Sequence, residues 1–243
     1  MKIKTKFVVS INVYDDVDYL YTQLENIRDY LKLDYLVLLN CNNLMYDLLK
    51  SKNIPNVYVN PNPIDKKRFC GTLFKGIYEN IIFSLKNFEF EYFLVMSSKT
   101  FFFKVLGSGN IDSSLKNNRS KFSYPTDYQP DSRKHTIWPR KQIWKPFSRS
   151  GFYKFIKTNN MKIQKCMHEG LVLRNTECED LKNFFDKNQN LLDSIYKTKT
   201  AMEEIVIPTL CVNWYGFTHG FGMWPGYENS EFSKYKILHK VEK

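Results

Sequence analysis

Over its first hundred residues the chain alternates short apolar runs with amphipathic stretches, and that alternation restricts the fold more than any other feature. KFVVSINV (residues 6–13) is a β-branched apolar run. DDVDYLYTQLENIRDYLK (15–32) follows, with Val17, Leu20, Leu24, Ile27 and Leu31 at three-and-four spacing and acids at its start, which predicts a helix. YLVLLN (35–40) reads as a strand, NNLMYDLLKSKN as a short helix and NVYVN (56–60) as a third strand. After the proline-rich loop PNPIDKKRF, GTLFKGIYENIIFSLKNF (71–88) carries Leu73, Ile77, Ile81 and Leu85 on one helical stripe. EYFLVMSSKTFFFK (91–104) supplies a fourth strand, Tyr92 to Met96. This order implies the α/β class: a Rossmann-like, mainly parallel sheet flanked by helices. Right-handed crossovers bring the strand C-termini to one edge, where ligands bind in such sheets. The polar strand ends, Asn12 to Asp16, Asn40 to Asn43 and Ser97 to Thr100, are expected to face one crevice there.

The second half is less regular. Residues 105–150 hold Gly, Ser, Asn and Pro, then HTIWPRKQIWKPF, which mixes bases with aromatics. Leaving Trp138, Trp144 and Phe147 exposed is costly, so an ordered, substrate-facing loop region is expected. GFYKFIKTNN and CEDLKNFFDKNQNLLDSIY (178–196) read as helices, with EGLVL (169–173) as a strand between them. AMEEIVIPTLCVNWYGF (201–217) starts as a helix whose regular part Pro208 is expected to bend or end. No repeat or linker divides the 243 residues, so one domain is expected, with residues 1–104 and 105–243 as its two halves.

Composition narrows the class. No stretch approaches the roughly 18 apolar residues of a membrane span. The N-terminus turns acidic within its first apolar run, unlike a signal peptide, so a soluble, cytoplasmic protein is expected. Five scattered cysteines, an odd number, argue against a disulfide framework. Cys166, His168 and Cys178 lie near one another in sequence but without a CxxC pair, so free thiols are expected there and not zinc. The net charge of +11 admits phosphate-bearing partners, although spread-out, solvated lysines also account for it.

Four stretches in this order resemble GT-A glycosyltransferases, in particular the core-2/I-branching N-acetylglucosaminyltransferase-like group, which has relatives in bacteria and large DNA viruses. They are VVSINVYDDVDYLYTQLENI, NPNPIDKKRFCGTLFKGIYENIIFSL, EYFLVMSSKTFFFK and AMEEIVIPTL. In the third, Ser97 and Ser98 take the Ser-Gly places of that group's strand end, Thr100 the Asp place and Phe102 the Pro place. In the fourth, Glu203 and Glu204 take the two acids of its Pro-Asp-Glu, and Thr209 its threonine. The group's tryptophan before the third helix is missing, and Arg68-Phe69-Cys70-Gly71 stands there.

The resemblance implies sugar transfer, with inversion, from a nucleotide-sugar such as a UDP-sugar to a glycan or glycoprotein. Glu204 is then the base and Glu203 its neighbour. The competing reading makes both ordinary first-turn helix acids, with Thr198 or Thr200 as cap. No Asp-x-Asp ends the fourth strand, so metal-independent catalysis is expected, with manganese or magnesium as the alternative. Donor-binding candidates are Asn12, Val13, Tyr14, Asn40, Ser97, Lys99 and Thr100 at the strand ends. Lys236, His239 and Lys240 in the basic tail are candidates for charge on the departing diphosphate. Trp138, Arg140, Trp144, Glu169, His219 and Trp224 are acceptor-site candidates, since sugars pack their C–H faces on aromatic rings. Loop capping by Asn, a frayed basic tail and packed aromatics are the plainer readings of these same residues. Two other functions remain open at this level. One is a basic nucleic-acid-binding protein resting on WPRKQIWKPFSR, although nucleic acid is not the expected partner. The other is an inactive glycan-binding relative.

Overall fold

A computed structural model describes residues 2–14, 16–67, 69–98, 100–102, 104–107, 144–166, 168–216 and 219–220, and the backbone of residues 223–224 and 237–239. The first apolar run forms β1 (Ile3–Asn12), buried without a break from Phe7 onward. The Asp16 carboxylate accepts the Tyr19 N–H at 2.8 Å and starts α1 (Val17–Tyr30). Leu31 leaves the helix for a short strand, β2 (Leu31–Lys32). β3 (Tyr35–Asn40), α2 (Asn43–Leu49), β4 (Val57–Val59), α3 (Thr72–Asn87) and β5 (Phe88–Ser97) follow as the alternation predicts. β6 (Thr100–Phe102) and β7 (Leu106–Gly107) close the first half. Next come a single turn, α4 (Lys145–Phe147), α5 (Gly151–Thr158), β8 (Leu171–Arg174), α6 (Asn175–Lys187) and α7 (Gln189–Lys197). A 3₁₀ turn, Met202–Glu204, precedes α8 (Val206–Tyr215) and three short strands, β9 (His219–Gly220), β10 (Met223–Trp224) and β11 (Ile237–His239).

The main sheet has the order β4-β3-β1-β5-β8-β9. β1 pairs in parallel with both β3 and β5, and β3 with β4, whereas β8 and β9 are antiparallel additions. The fold is therefore the mixed, mainly parallel α/β sheet the alternation implies. The chain leaves β1 first toward β3 and later returns to β5, so the strand order reverses at β1, the position at whose C-terminal end sheets of this kind bind ligands. Asn12 is in register with Asn40 on one side and Ser97 on the other, so three polar residues end three adjacent strands in one row.

Alternating strand residues feed two cores. Val8, Leu38, Phe93 and Val95 pack under α3 and the helices of the second half. Phe7, Val9, Ile11, Leu39, Leu94 and Met96 pack under α1 and α2. α3 is covered more widely than its stripe suggested. Phe74, Tyr78, Asn80 and Ser84 are buried with Leu73, Ile77 and Ile81, while Leu85 is only half-buried. The expected helix over 178–196 is two helices, broken at Asn188, whose side chain donates to Phe184 O at 2.7 Å. Pro208 neither bends nor ends its helix: it lies in the first turn of α8, where its missing N–H costs no intrahelical bond. Among the described residues no helix is long and apolar enough to cross a membrane.

Gly71, just before α3, matters for space and not for conformation, since its φ of −59° suits any residue. Its N–H donates to Thr198 O at 2.8 Å, and a Cβ there would lie 1.9 Å from Ile195 O. The loop that leads to Glu203 and Glu204 is thereby tied to the start of α3. Gly71→Ala must push backbone from backbone, and a loss of about 3 kcal/mol in unfolding free energy is expected by denaturant titration.

Candidate active site

The strand-end residues are at the crevice edge, but their side chains largely serve the fold. Asn12 Nδ2 donates to Leu73 O at 3.1 Å, joining β1 to the first turn of α3. Asn40 Nδ2 donates to Asn62 O at 3.2 Å, and Val13 N–H to Asn40 O at 2.9 Å. The Oδ1 atoms of Asn12 and Asn40 are buried without a hydrogen-bond partner among the described residues. Tyr14 is half-buried at the mouth of the same edge. The Ser97 and Thr100 hydroxyls bond each other at 2.8 Å, and Gln23 of α1 donates to both Ser97 O and Thr100 O. Thr100 is fully buried, and its hydroxyl closes the turn after β5.

The tail returns to this turn. β11 runs antiparallel to β6 and places the His239 backbone opposite Thr100. Trp224 is likewise fixed by backbone, paired with Leu238. Lys99, Trp138, Arg140, Lys236 and Lys240 lie outside the described residues, as do the side chains of Trp224 and His239.

Glu203 and Glu204 are brought to the sheet by a side-chain ladder. Asn213 holds both the N–H and the C=O of Lys162, at 2.8 and 2.7 Å. One turn earlier the Thr209 hydroxyl holds the N–H and the C=O of Gln164, each at 3.0 Å. Cys166 N–H donates to Glu204 O at 3.0 Å. Segment 162–166 therefore runs along α8 as a strand would along a neighbour. It delivers the Lys165 ammonium 2.9 Å from the Glu204 carboxylate, with side chains 9% and 18% exposed. Gly170 N–H then donates to Val95 O, two residues before the end of β5, which sets this segment beside the C-terminal edge of the sheet.

The two adjacent acids differ in burial and in partner. Glu203 is only 3% exposed, and burial together with the neighbouring Glu204 charge pushes its carboxyl well above the usual range. Glu204 is at the mouth and has a cation against it. The 3₁₀ turn and α8 have no side-chain cap, and Thr198 spends its hydroxyl on Ser194 O, so this pair is not a set of capped, solvated helix acids. Nearby, His168 Nδ1 lies 3.3 Å from Glu169 Oε2, both buried. Burial lowers the His168 imidazole to about 4, outweighing the pull of Glu204.

The remaining acceptor candidates divide. Glu169 belongs to the acid cluster, since its charge also acts on Glu203. His219 pairs in register with Val172, and its Nε2 is 3.8 Å from Glu177 Oε1, farther down the sheet. Trp144 packs against Phe147 and Tyr153 with ring centroids 5.8 Å from each, as a core aromatic. Phe147 is fully buried, and Trp144 is half-buried against it.

Lys165, Gln23 and Lys66 were not singled out by sequence. Lys66 Nζ donates to Asn40 O at 2.8 Å and to Ile64 O at 3.3 Å, and burial lowers its ammonium to about 7. Gly76 makes room for it, since a Cβ there would meet Asn12 Oδ1 at 2.3 Å and Lys66 Cε at 2.7 Å. The one available signal was the position of Lys66 in the loop leading into α3. Among the described residues no three His, Cys, Asp or Glu side chains group to hold a metal ion.

A pH dependence follows from His168. The native imidazole stays neutral down to about pH 4, whereas in the unfolded chain it takes up its proton near 6.5. Between these values the unfolded state binds more protons, so this residue's contribution to stability falls as pH falls. Relative to His168→Gln, the wild type is expected to lose about 3 kcal/mol more unfolding free energy between pH 6.5 and 4. Denaturant titrations across that range check it.

No protein-family model matches the chain, and no curated protein matches it. Among solved structures it is similar to the apo structure of the bifunctional glycosyltransferase WbbM, at 14% identity and a TM-score of 0.48. The match covers 98% of this chain and 46% of that one, so the chain spans less than half of that protein's length.

Proposed function

We propose that the protein is a glycosyltransferase of GT-A type, close in design to the core-2-like group, that moves a sugar with inversion from a UDP-sugar to a hydroxyl of a glycan. The observation that carries this reading is the pair Glu203–Glu204 beside the C-terminal edge of a parallel sheet, one acid buried and the other held against Lys165. An inverting transfer needs one ionised carboxylate within reach of the acceptor hydroxyl. Glu204 meets the positional requirement, with its carboxylate partly exposed and 2.9 Å from the Lys165 ammonium.

In the proposed reaction Glu204 takes the hydroxyl proton while that oxygen bonds to the anomeric carbon. The bond from this carbon to the diphosphate oxygen breaks, and the leaving diphosphate keeps its electron pair. Glu203, held neutral by burial, adds no second negative charge beside the diphosphate. The nucleotide is assigned to the strand-end row at Asn12, Asn40 and Ser97, with the backbone of Val13 and the Tyr14 ring beside it. Charge on the leaving group is assigned to Lys236, His239 and Lys240, in keeping with the backbone pairing of His239 with Thr100. A metal-independent reaction is in keeping with a β5 end, Ser97-Ser98-Lys99-Thr100, that carries no carboxylate.

Thermal unfolding with UDP-, GDP- and dTDP-sugars, with and without manganese, tests the donor reading. Stabilisation by a UDP-sugar without manganese is expected, and stabilisation only with manganese would contradict the metal-free reaction. Glu204→Gln is expected to lower kcat by about a hundredfold or more while leaving donor stabilisation intact. Glu203→Gln, isosteric with a protonated acid, is expected to cost much less. Equal losses in the two variants would remove Glu204 from the role of base.

A further inference from the structure

A groove between α7 and the α4–α5 segment plays no part in the reaction above. It encloses about 510 Å³. Asn190, Asp193, Ser194 and Lys197, at the three-and-four spacing of one face of α7, form one wall. Arg149 stands on the other, and Lys199 lies where the chain leaves α7. Gly151 sets the width. A Cβ there would lie 2.4 Å from Ser194 Oγ, and its N–H donates to that oxygen at 3.1 Å, which draws the start of α5 onto α7.

Three cations, Arg149, Lys197 and Lys199, thus line the groove with one acid, Asp193. All three are exposed, and none has an ion-pair partner among the described residues. The first donors of α5 are already taken by the Ser150 and Ser194 side chains, so side-chain charge carries the attraction. A concave surface with an excess of one sign, here three cations to one acid, raises the local concentration of anions. An Arg fork with two ammonium groups suits a phosphate or a carboxylate.

The groove is close to the carboxylate pair and separate from the donor edge. From Lys199 to Glu204 is five residues, at most about 17 Å of extended chain. The first turn of α3 stands between the groove and the strand ends: Gly71 touches the end of α7, whereas Leu73 and Gly76 touch Asn12.

We propose that this groove holds an anionic group, phosphate or carboxylate, carried by the acceptor. The acceptor part of this claim rests on the reading of Glu204 as base. The full chain is titrated calorimetrically with glucose 6-phosphate, glucuronate and glucose, with and without UDP. The expected result is binding of an anionic sugar, not of glucose, that weakens with salt and persists with UDP. In a Lys197→Ala/Lys199→Ala variant of unchanged melting temperature, and in Arg149→Ala, this binding is expected to weaken by about tenfold or more. Binding of only one of the two anionic sugars identifies the group and supports the proposal. No anionic binding, equal binding in the variants, or displacement by UDP would overturn it. Anion binding in a protein that no sugar nucleotide stabilises would instead overturn the glycosyl-transfer reading and leave the groove standing.

Discussion

The contact on which the site depends is the 2.9 Å ion pair between Lys165 and Glu204. Both side chains are largely out of water, so each charge would be costly alone. Their pairing is imposed by neutral groups. Asn213 and Thr209 each bond both sides of one residue in the 162–164 segment, and Cys166 bonds the Glu204 carbonyl. Glu203, one residue away, has no such ion pair among the described residues, and burial pushes its carboxyl well above the usual range. Two adjacent carboxyl groups thereby differ in surroundings, one buried and the other set against a cation.

The antiparallel strand β8 explains how acids from the second half reach an edge built by the first. A parallel strand would begin at the N-terminal edge of the sheet. β8 runs against β5, with Phe93 opposite Leu173 and Leu94 opposite Val172, so the residues just before it emerge where β5 ends. Gly170, at φ +83°, makes the turn and bonds Val95 O. The tail adds a third contribution through β11, which lies against β6 just past the same end.

The alternation of apolar runs and helices was legible because each strand and helix of the first half is short, regular and buried on predictable faces. The row Asn12, Asn40, Ser97 followed from that alone. Side-chain roles within the row did not, because hydroxyl and amide groups at a strand end can face a ligand or close a turn with equal ease. Thr100, in the Asp place of the resembling group, closes a turn with Ser97. Pro208 was misjudged because a 3₁₀ turn moves the helix start to Val206, which places the proline in the first turn. Lys165 was invisible because MKIQKC has no periodicity of its own; its course is set by Thr209 and Asn213, more than forty residues later.

The central claim is that Glu204, held 2.9 Å from the Lys165 ammonium, is the base. The kcat for sugar transfer, compared between the wild type and a folded Lys165→Met variant, tests it most directly. Removing the ammonium that positions the carboxylate should lower kcat by about tenfold or more while leaving stabilisation by the donor intact. An unchanged kcat in the variant would contradict the account.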